Sequence, residues 1–307
     1  MTETGDRPAR RPATKRPGAR AGTGASRADP VAAPADTPAA SAATVSPAEQ
    51  IDALSGDPNF MTSFARGLAV IAGFSQQKRR LTIAQLSHRT GIPRAAVRRC
   101  LYTLAKLGFA SVEDGRSYSL RPKILSLGHA YLSSTMLATS AQPLLDGVSS
   151  RVHESSSIAL LEGDDILYVA RSSTTQRIMS VDLGIGTRLP ASCTSMGRVL
   201  LAHLPADALD AYLARVRLTQ YTPRTIMTAA RLRAELETVR RDGYAIVDQE
   251  LEIGLRALAV PVRAAGGKVV AAMNIGTQAS RVTLADLKSR ILPPLQDAAR
   301  ELSQMLL

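Results

Sequence analysis

Cysteine is nearly missing from this 307-residue chain, which holds only Cys100 and Cys193, with no paired spacing. That excludes a disulfide framework and a cysteine zinc cage, and it suits a reducing compartment, so the protein is expected in the cytoplasm. No apolar run is long enough to span a bilayer, and the first fifty residues lack the apolar core of a secretory signal, so no membrane association is expected. Enzymatic signatures are missing as well. No G-x-S-x-G elbow surrounds Ser192 or Ser195, and His88, His129, His153 and His203 are scattered without an obvious partner. Gly184-Ile185-Gly186-Thr187 lacks the third glycine and following acid of a dinucleotide site and reads as a turn. Asp248, Glu250 and Glu252 have no histidine or further carboxylate motif to complete a metal site, and ion pairing with Arg256 is their expected use. The expectation is no catalytic residue, no metal and no cofactor.

One further scarcity is local. Between residues 60 and 127 the only acids are Glu113 and Asp114, against twelve Lys and Arg, so this stretch carries a net +10 of the chain's +12. Such concentrated charge destabilises a compact fold unless a polyanion offsets it, and nucleic acid is the commonest one. Residues 1–58 are rich in Ala, Pro and Arg, with prolines at 8, 12, 17, 30, 34, 38 and 47, and are expected to be a disordered tail.

Residues 59–121 read as a winged helix-turn-helix. Phe64, Leu68, Ile71 and Phe74 recur at helical spacing and predict a first helix with one buried face. Thr82 and Gln85 form a T-x-x-Q capping box that opens a second helix, and Gly91 stops it. Pro93 pre-sets the first turn of a third helix, whose apolar face is Val97, Cys100, Leu101, Leu104 and Leu107. Its other face carries Arg94, Arg98, Arg99 and Tyr102 around the small Ala95 and Ala96, which suits close entry into a major groove. Asp114-Gly115 then predicts a two-residue hairpin turn between Phe109–Val112 and Arg116–Leu120, a wing with Arg116 at its tip. An exposed arginine is ordinary, and the same geometry also serves protein or RNA contacts. The order of the elements and their shared charge favour DNA.

Residues 122–137 predict a linker helix whose stripe of Ile124, Leu127 and Tyr131 either pairs with a second copy or packs on its own domain. From 138 to 307 an α+β domain is expected. Apolar runs at 158–161, 166–170, 178–183, 244–247, 257–262 and 269–275 predict strands, and 194–203, 205–216 and 228–242 predict helices. Gly163-Asp164-Asp165 and Gly266-Gly267 mark hairpins, so several strand pairs should be antiparallel. Hydroxyls, a thiol and backbone N–H groups collect at Ala191-Ser192-Cys193-Thr194-Ser195-Met196-Gly197 as a helix begins. That is either an anion site or ordinary capping.

Three runs together resemble one family. They are Gly91-Ile92-Pro93-Arg94-Ala95-Ala96-Val97-Arg98-Arg99, Leu189–Ala202, and the segment Gly243–Arg256 that contains Asp248-Gln249-Glu250-Leu251-Glu252. They are similar to the isocitrate-lyase-regulator (IclR) family of bacterial transcription regulators. The two later runs look closest to its aromatic-catabolism branch, the regulators of protocatechuate, 4-hydroxybenzoate and β-ketoadipate degradation. The resemblance implies an N-terminal winged helix, a linker helix and a C-terminal effector-binding domain of GAF-like topology. It implies double-stranded operator DNA and a small organic acid as partners, and homodimers or tetramers. By motif it places the effector on Ser195, Met196, Val247, Ala257, Asn274 and Gly276. Where Val247, Ala257, Asn274 and Gly276 stand, the glyoxylate-responsive pattern has an acid, a thiol and two hydroxyls. A roomier, less polar pocket is therefore expected, suited to an aromatic or larger acid.

Overall fold

The computed structural model describes residues 46–74, 78–172 and 183–306. Its first helix corrects the expected tail. Residues 1–45 lie outside the described residues, but α1 (Pro47–Asp52) is ordered by a capping box: the Glu49 N–H donates to Ser46 Oγ at 3.2 Å, and the Ser46 N–H to Glu49 Oε2 at 2.6 Å. Ile51 is buried in the core of the basic module. Composition alone hid this local signal.

The module itself comprises α2 (Thr62–Ala72), β1 (Leu81–Thr82), α3 (Ile83–Thr90), α4 (Arg94–Lys106), β2 (Ala110–Glu113) and β3 (Ser117–Leu120). Thr82 and Gln85 form the expected capping box, and Gly91 ends α3 in the left-handed conformation at φ 72°. Pro93 caps α4 from outside its first turn. Val97, Leu101 and Leu104 are buried against Leu86, Ile92 and Val70, whereas Cys100 is half-buried and Leu107, the last expected apolar contact, is exposed at the C-cap. Of the predicted stripe, Ile71 and Phe74 pack against the core as expected, but Phe64 is 63% and Leu68 48% exposed, and Val70 with the partly buried Ala65 and Ala69 faces the core in their place.

The three short strands form an antiparallel sheet in the order β1-β3-β2. Glu113 pairs with Ser117, so the wing turn has three residues rather than the expected two. Asp114 (φ 53°) and Gly115 (φ 68°) both take left-handed backbone. Asp114 tolerates it because its carboxylate accepts the N–H groups of Ser117 at 2.9 Å and Arg116 at 3.2 Å.

A 3-10 turn (Pro122–Ile124) leads into α5 (Leu125–Ser134), which has no buried residue. Thr135 is extended and breaks the helix two residues before the expected end of the linker, and α6 (Met136–Val152) follows. The rest is one antiparallel sheet of β4 (Ser155–Glu162), β5 (Asp165–Ser172), β6 (Arg188–Pro190), β7 (Ala245–Asp248), β8 (Leu255–Arg263) and β9 (Val269–Gln278), in the order β6-β5-β4-β9-β8-β7. The expected strand at 178–183 falls largely outside the described residues, and β6 and the C-terminal helices had no counterpart in the sequence reading.

Side-chain parity divides the core. Ile158, Leu258, Val260, Met273 and Ile275 face α6 and α11 (Leu292–Met305), the latter reached through α10 (Leu284–Asp286) and a π-helical turn. Ala159, Ala259 and Ala272 face the opposite layer of α7 (Ser195–Ala202), α8 (Ala206–Arg215) and α9 (Ala229–Asp242). The molecule is thus α+β, a helix-turn-helix domain followed by a sheet between two helical layers.

Candidate functional site

Two surfaces carry the expected chemistry. On α4, Arg94, Ala95, Arg98, Arg99 and Tyr102 are exposed on one face, as positions spaced three and four apart must be. Ala96 sits elsewhere, half-buried against the core. Lys106, missing from the sequence reading, extends the face by one turn, its Nζ 5.5 Å from the centre of the Tyr102 ring. Arg116 is exposed at the wing tip. Lys78, Arg79 and Arg80 are exposed ahead of β1, with Arg80 paired to Glu113 at 2.6 Å. Burying such cations against protein would be costly, whereas phosphate oxygens and base edges match them.

The second surface is the α7 side of the large sheet. Val247 pairs with Ala257, Ala257 with Gly276, and Gly276 with Ser155, so the four stand in one row across β7, β8, β9 and β4. One step along, Ala259, Asn274 and Ser157 make a second row. Because Ala259 and Ala159 belong to the α7 layer's core, both rows face α7. α7 packs across β7, β8, β9 and β4 above them. The rows are built of small residues, and a Cβ placed on Gly276 would meet nothing within 4 Å. Gly276 itself is partly exposed, so this face has free space beside it. The structure therefore gathers Val247, Ala257, Asn274 and Gly276 on one face, and puts Ser195 and Met196 on the helix that covers it. Ser155 and Ser157 were missed, because a run of three serines reads as loop until the strand register assigns alternate members to this face.

The start of α7 distinguishes capping from a free site. Thr194 is the cap, its Oγ accepting the Gly197 N–H at 3.3 Å. Ser195 caps nothing. Its hydroxyl is buried and has no hydrogen-bond partner. A buried polar atom left in that state costs about 1–3 kcal/mol unless a ligand or water satisfies it. Cys193 beside it is no nucleophile, because burial pushes its thiol up to about 12 and keeps it protonated.

A buried ion pair braces this helix start. Arg198, 1% exposed, donates from Nε to the Ser192 carbonyl at 3.1 Å and from Nη2 to Glu250 Oε2 at 2.6 Å, with Glu235 3.6 Å away. Glu250 Oε2 also accepts the Ile226 N–H at 3.2 Å, while Thr222 and Thr225 donate their hydroxyls to its carbonyl. Pairing with Arg256 is the expected use of the acidic run; Glu250 pairs with Arg198 instead, and Asp248 with Arg256. Asp248 bridges Arg256 at 2.7 Å and Arg224 at 2.6 Å. Partial burial raises its carboxyl, but hydrogen bonds from Arg256 and Gln249 and the charges of both arginines outweigh that and hold it below the usual value. Among the described residues no cluster of His, Cys, Asp and Glu is able to hold a metal ion, and no helix is long and apolar enough to cross a membrane.

Known proteins match both halves. Residues 63–114 match the family model for the IclR helix-turn-helix domain, and residues 129–304 match the one described as bacterial transcriptional regulator IclR C-terminal. The Pca regulon regulatory protein of Pseudomonas putida is 56% identical over 282 residues, covering 91% of this chain and 97% of that protein. The p-hydroxybenzoate hydroxylase transcriptional activator of Acinetobacter baylyi is 34% identical, covering 80% and 92%. Among solved structures, a transcriptional regulator from Rhodococcus sp. RHA1 shares 48% identity at a TM-score of 0.72, covering 80% of this chain and 98% of that one. The inducer-binding domain of PobR from Acinetobacter, a double mutant in complex with 3-hydroxybenzoic acid, shares 33% identity at a TM-score of 0.51, covering 54% and 96%. Since the two family models fall on the basic module and the sheet domain in turn, this chain belongs to the IclR family of transcriptional regulators and is not an enzyme.

Proposed function

We propose that this regulator controls aromatic-acid catabolism genes of the β-ketoadipate pathway, gripping operator DNA with α4 and the wing. A small aromatic or dicarboxylic acid, held between α7 and the sheet, changes that grip. The observations that carry the acid site are the free space beside Gly276, on the sheet face that α7 packs against, and the Ser195 hydroxyl of α7, buried without a partner. The pathway assignment is supported by the 56% identity to a Pca regulon regulator. Polar groups that orient and an apolar floor that excludes water make a suitable seat for such an acid.

A second copy completes the reading. Leu127 and Tyr131 are about half exposed on α5, Ile124 is partly so, and Phe64 and Leu68 add an uncovered apolar stripe on α2. A homodimer, or a tetramer of two dimers, covers these stripes and presents two recognition helices to a two-fold operator. Coupling requires only that the acid favour one dimer arrangement by about 1–3 kcal/mol, an effect of roughly five- to 150-fold.

The test is a thermal-shift screen against protocatechuate, 4-hydroxybenzoate and β-ketoadipate, followed by gel shift of the operator with the acid that binds. One acid should raise the melting temperature and change operator affinity at least about fivefold. If none of the three moves either readout, the assignment is wrong.

A further inference from the structure

The face in front of Gly276 is not uniform. Its β7 and β8 side is apolar, built of Val247, Ala257 and Ala259. Its β4 and β9 side is polar, built of Ser155, Ser157 and Asn274, all buried. Ser157 and Asn274 are direct antiparallel partners, which sets their Cβ atoms about 5 Å apart and aims both side chains at the same volume. A hydroxyl and a carboxamide each both donate and accept, so together they suit a ketone, a carboxylate or a phenol. Neither brings charge.

We propose that Ser157, together with Asn274, is a specificity-determining pair that hydrogen-bonds a second oxygen function on the effector. The pair makes the site select bifunctional acids, keto-dicarboxylic or hydroxyaromatic, over monofunctional acids of similar size. This rests on the reading that the α7 face of the sheet is the effector site. The discrimination arises because an acid without the second oxygen leaves two buried polar groups unpaired, which rejects it more strongly than a missing methylene would.

The experiment is calorimetric titration of the full chain with two matched pairs of probes: β-ketoadipate against hexanoate, and 4-hydroxybenzoate against benzoate. In the unaltered protein the bifunctional member of at least one pair should bind about tenfold or more tightly, equivalent to about 1.4 kcal/mol. The pair showing this identifies the aliphatic or the aromatic class. Ser157→Ala should pull that ratio toward one by weakening the bifunctional acid, with the monofunctional acid, the melting temperature without ligand and operator binding unchanged. Should Ser157→Ala fail to fold, Asn274→Ala, which removes the carboxamide outright, reads the same ratio. A ratio that survives these substitutions overturns the pair's role while leaving the effector site standing. Absence of binding by all four acids in the unaltered protein overturns both.

Discussion

Replacing Arg198 by Met keeps most of the side chain's volume and removes its charge. Glu250, now without the guanidinium 2.6 Å away, keeps only the Ile226 N–H on that oxygen. The Ser192 carbonyl loses its donor in the same step. Breaking a buried pair from one side costs about 3–5 kcal/mol, because the remaining charge stays desolvated. For a domain of this size each kcal/mol lowers the melting temperature by about 2–4 °C, so a fall of roughly 6–20 °C is expected in the transition of the sheet domain. Urea titration at pH 7 supplies the free energy directly. Adding Glu250→Gln to Arg198→Met should recover part of the loss, giving a coupling energy of about 0.5–3 kcal/mol. A single Arg198→Met variant that loses less than about 1 kcal/mol would refute the claim that this pair holds the helix start to the acidic loop.

Gly197→Ala should destabilise the sheet domain by about 3 kcal/mol, since the new Cβ would lie 2.2 Å from the Ala191 carbonyl oxygen, a backbone atom that cannot swing aside. Gly276→Ala is the contrasting case: with nothing within 4 Å of the new Cβ, stability should hold or rise by about 0.5–1 kcal/mol while acid affinity falls, both readable by urea melts and titration calorimetry. Arg98→Ala should weaken operator binding by about 1–3 kcal/mol if the side chain reads a base, or reduce the salt slope by about 0.9 if it meets only phosphate; a variant unchanged in both measurements places Arg98 off the DNA. His203 supplies a pH effect. Burial lowers its pKa first, the charges of Arg263 and Arg240 add to this, and the Val199 carbonyl opposes it. The folded value lies below the unfolded one, so the unfolded chain takes the proton first, and stability is complete above about pH 6.5 and declines as pH falls through the folded value. His203→Gln should flatten that part of the urea-midpoint profile, and a profile identical to the parent's would show that His203 does not cause it.

The sequence exposed those elements whose signals are local. Thr82, Gln85 and Gly91 mark the two ends of α3 by chemistry that needs no distant partner, and Thr228 and Gly243 do the same for α9. Short apolar runs located β4, β5, β7, β8 and β9 to within a few residues. Periodicity could not say which face of α2 the chain itself covers: Phe64 and Leu68 repeat as a buried stripe would, yet they point outward. β6, three residues long, is too short to show a period. The polar wall of the proposed acid site depended on register, since only the pairing of Ser157 with Asn274 and Ser155 with Gly276 brings residues some 120 positions apart onto one surface. Resemblance named four sheet positions without that pairing, but not their β4 neighbours.

The ten residues of α5 deserve a different kind of reading, because none of their side chains is buried. A solitary helix of that length is marginal in water and holds its shape only when something lies against it. Its winding is therefore borrowed from its surroundings. In the homodimer proposed above, dilution below the dimer's dissociation constant should let it melt and open the backbone between Leu125 and Ser134 to proteases, and the reading head would then hang on a slack tether, no longer able to feel what the sensor has caught.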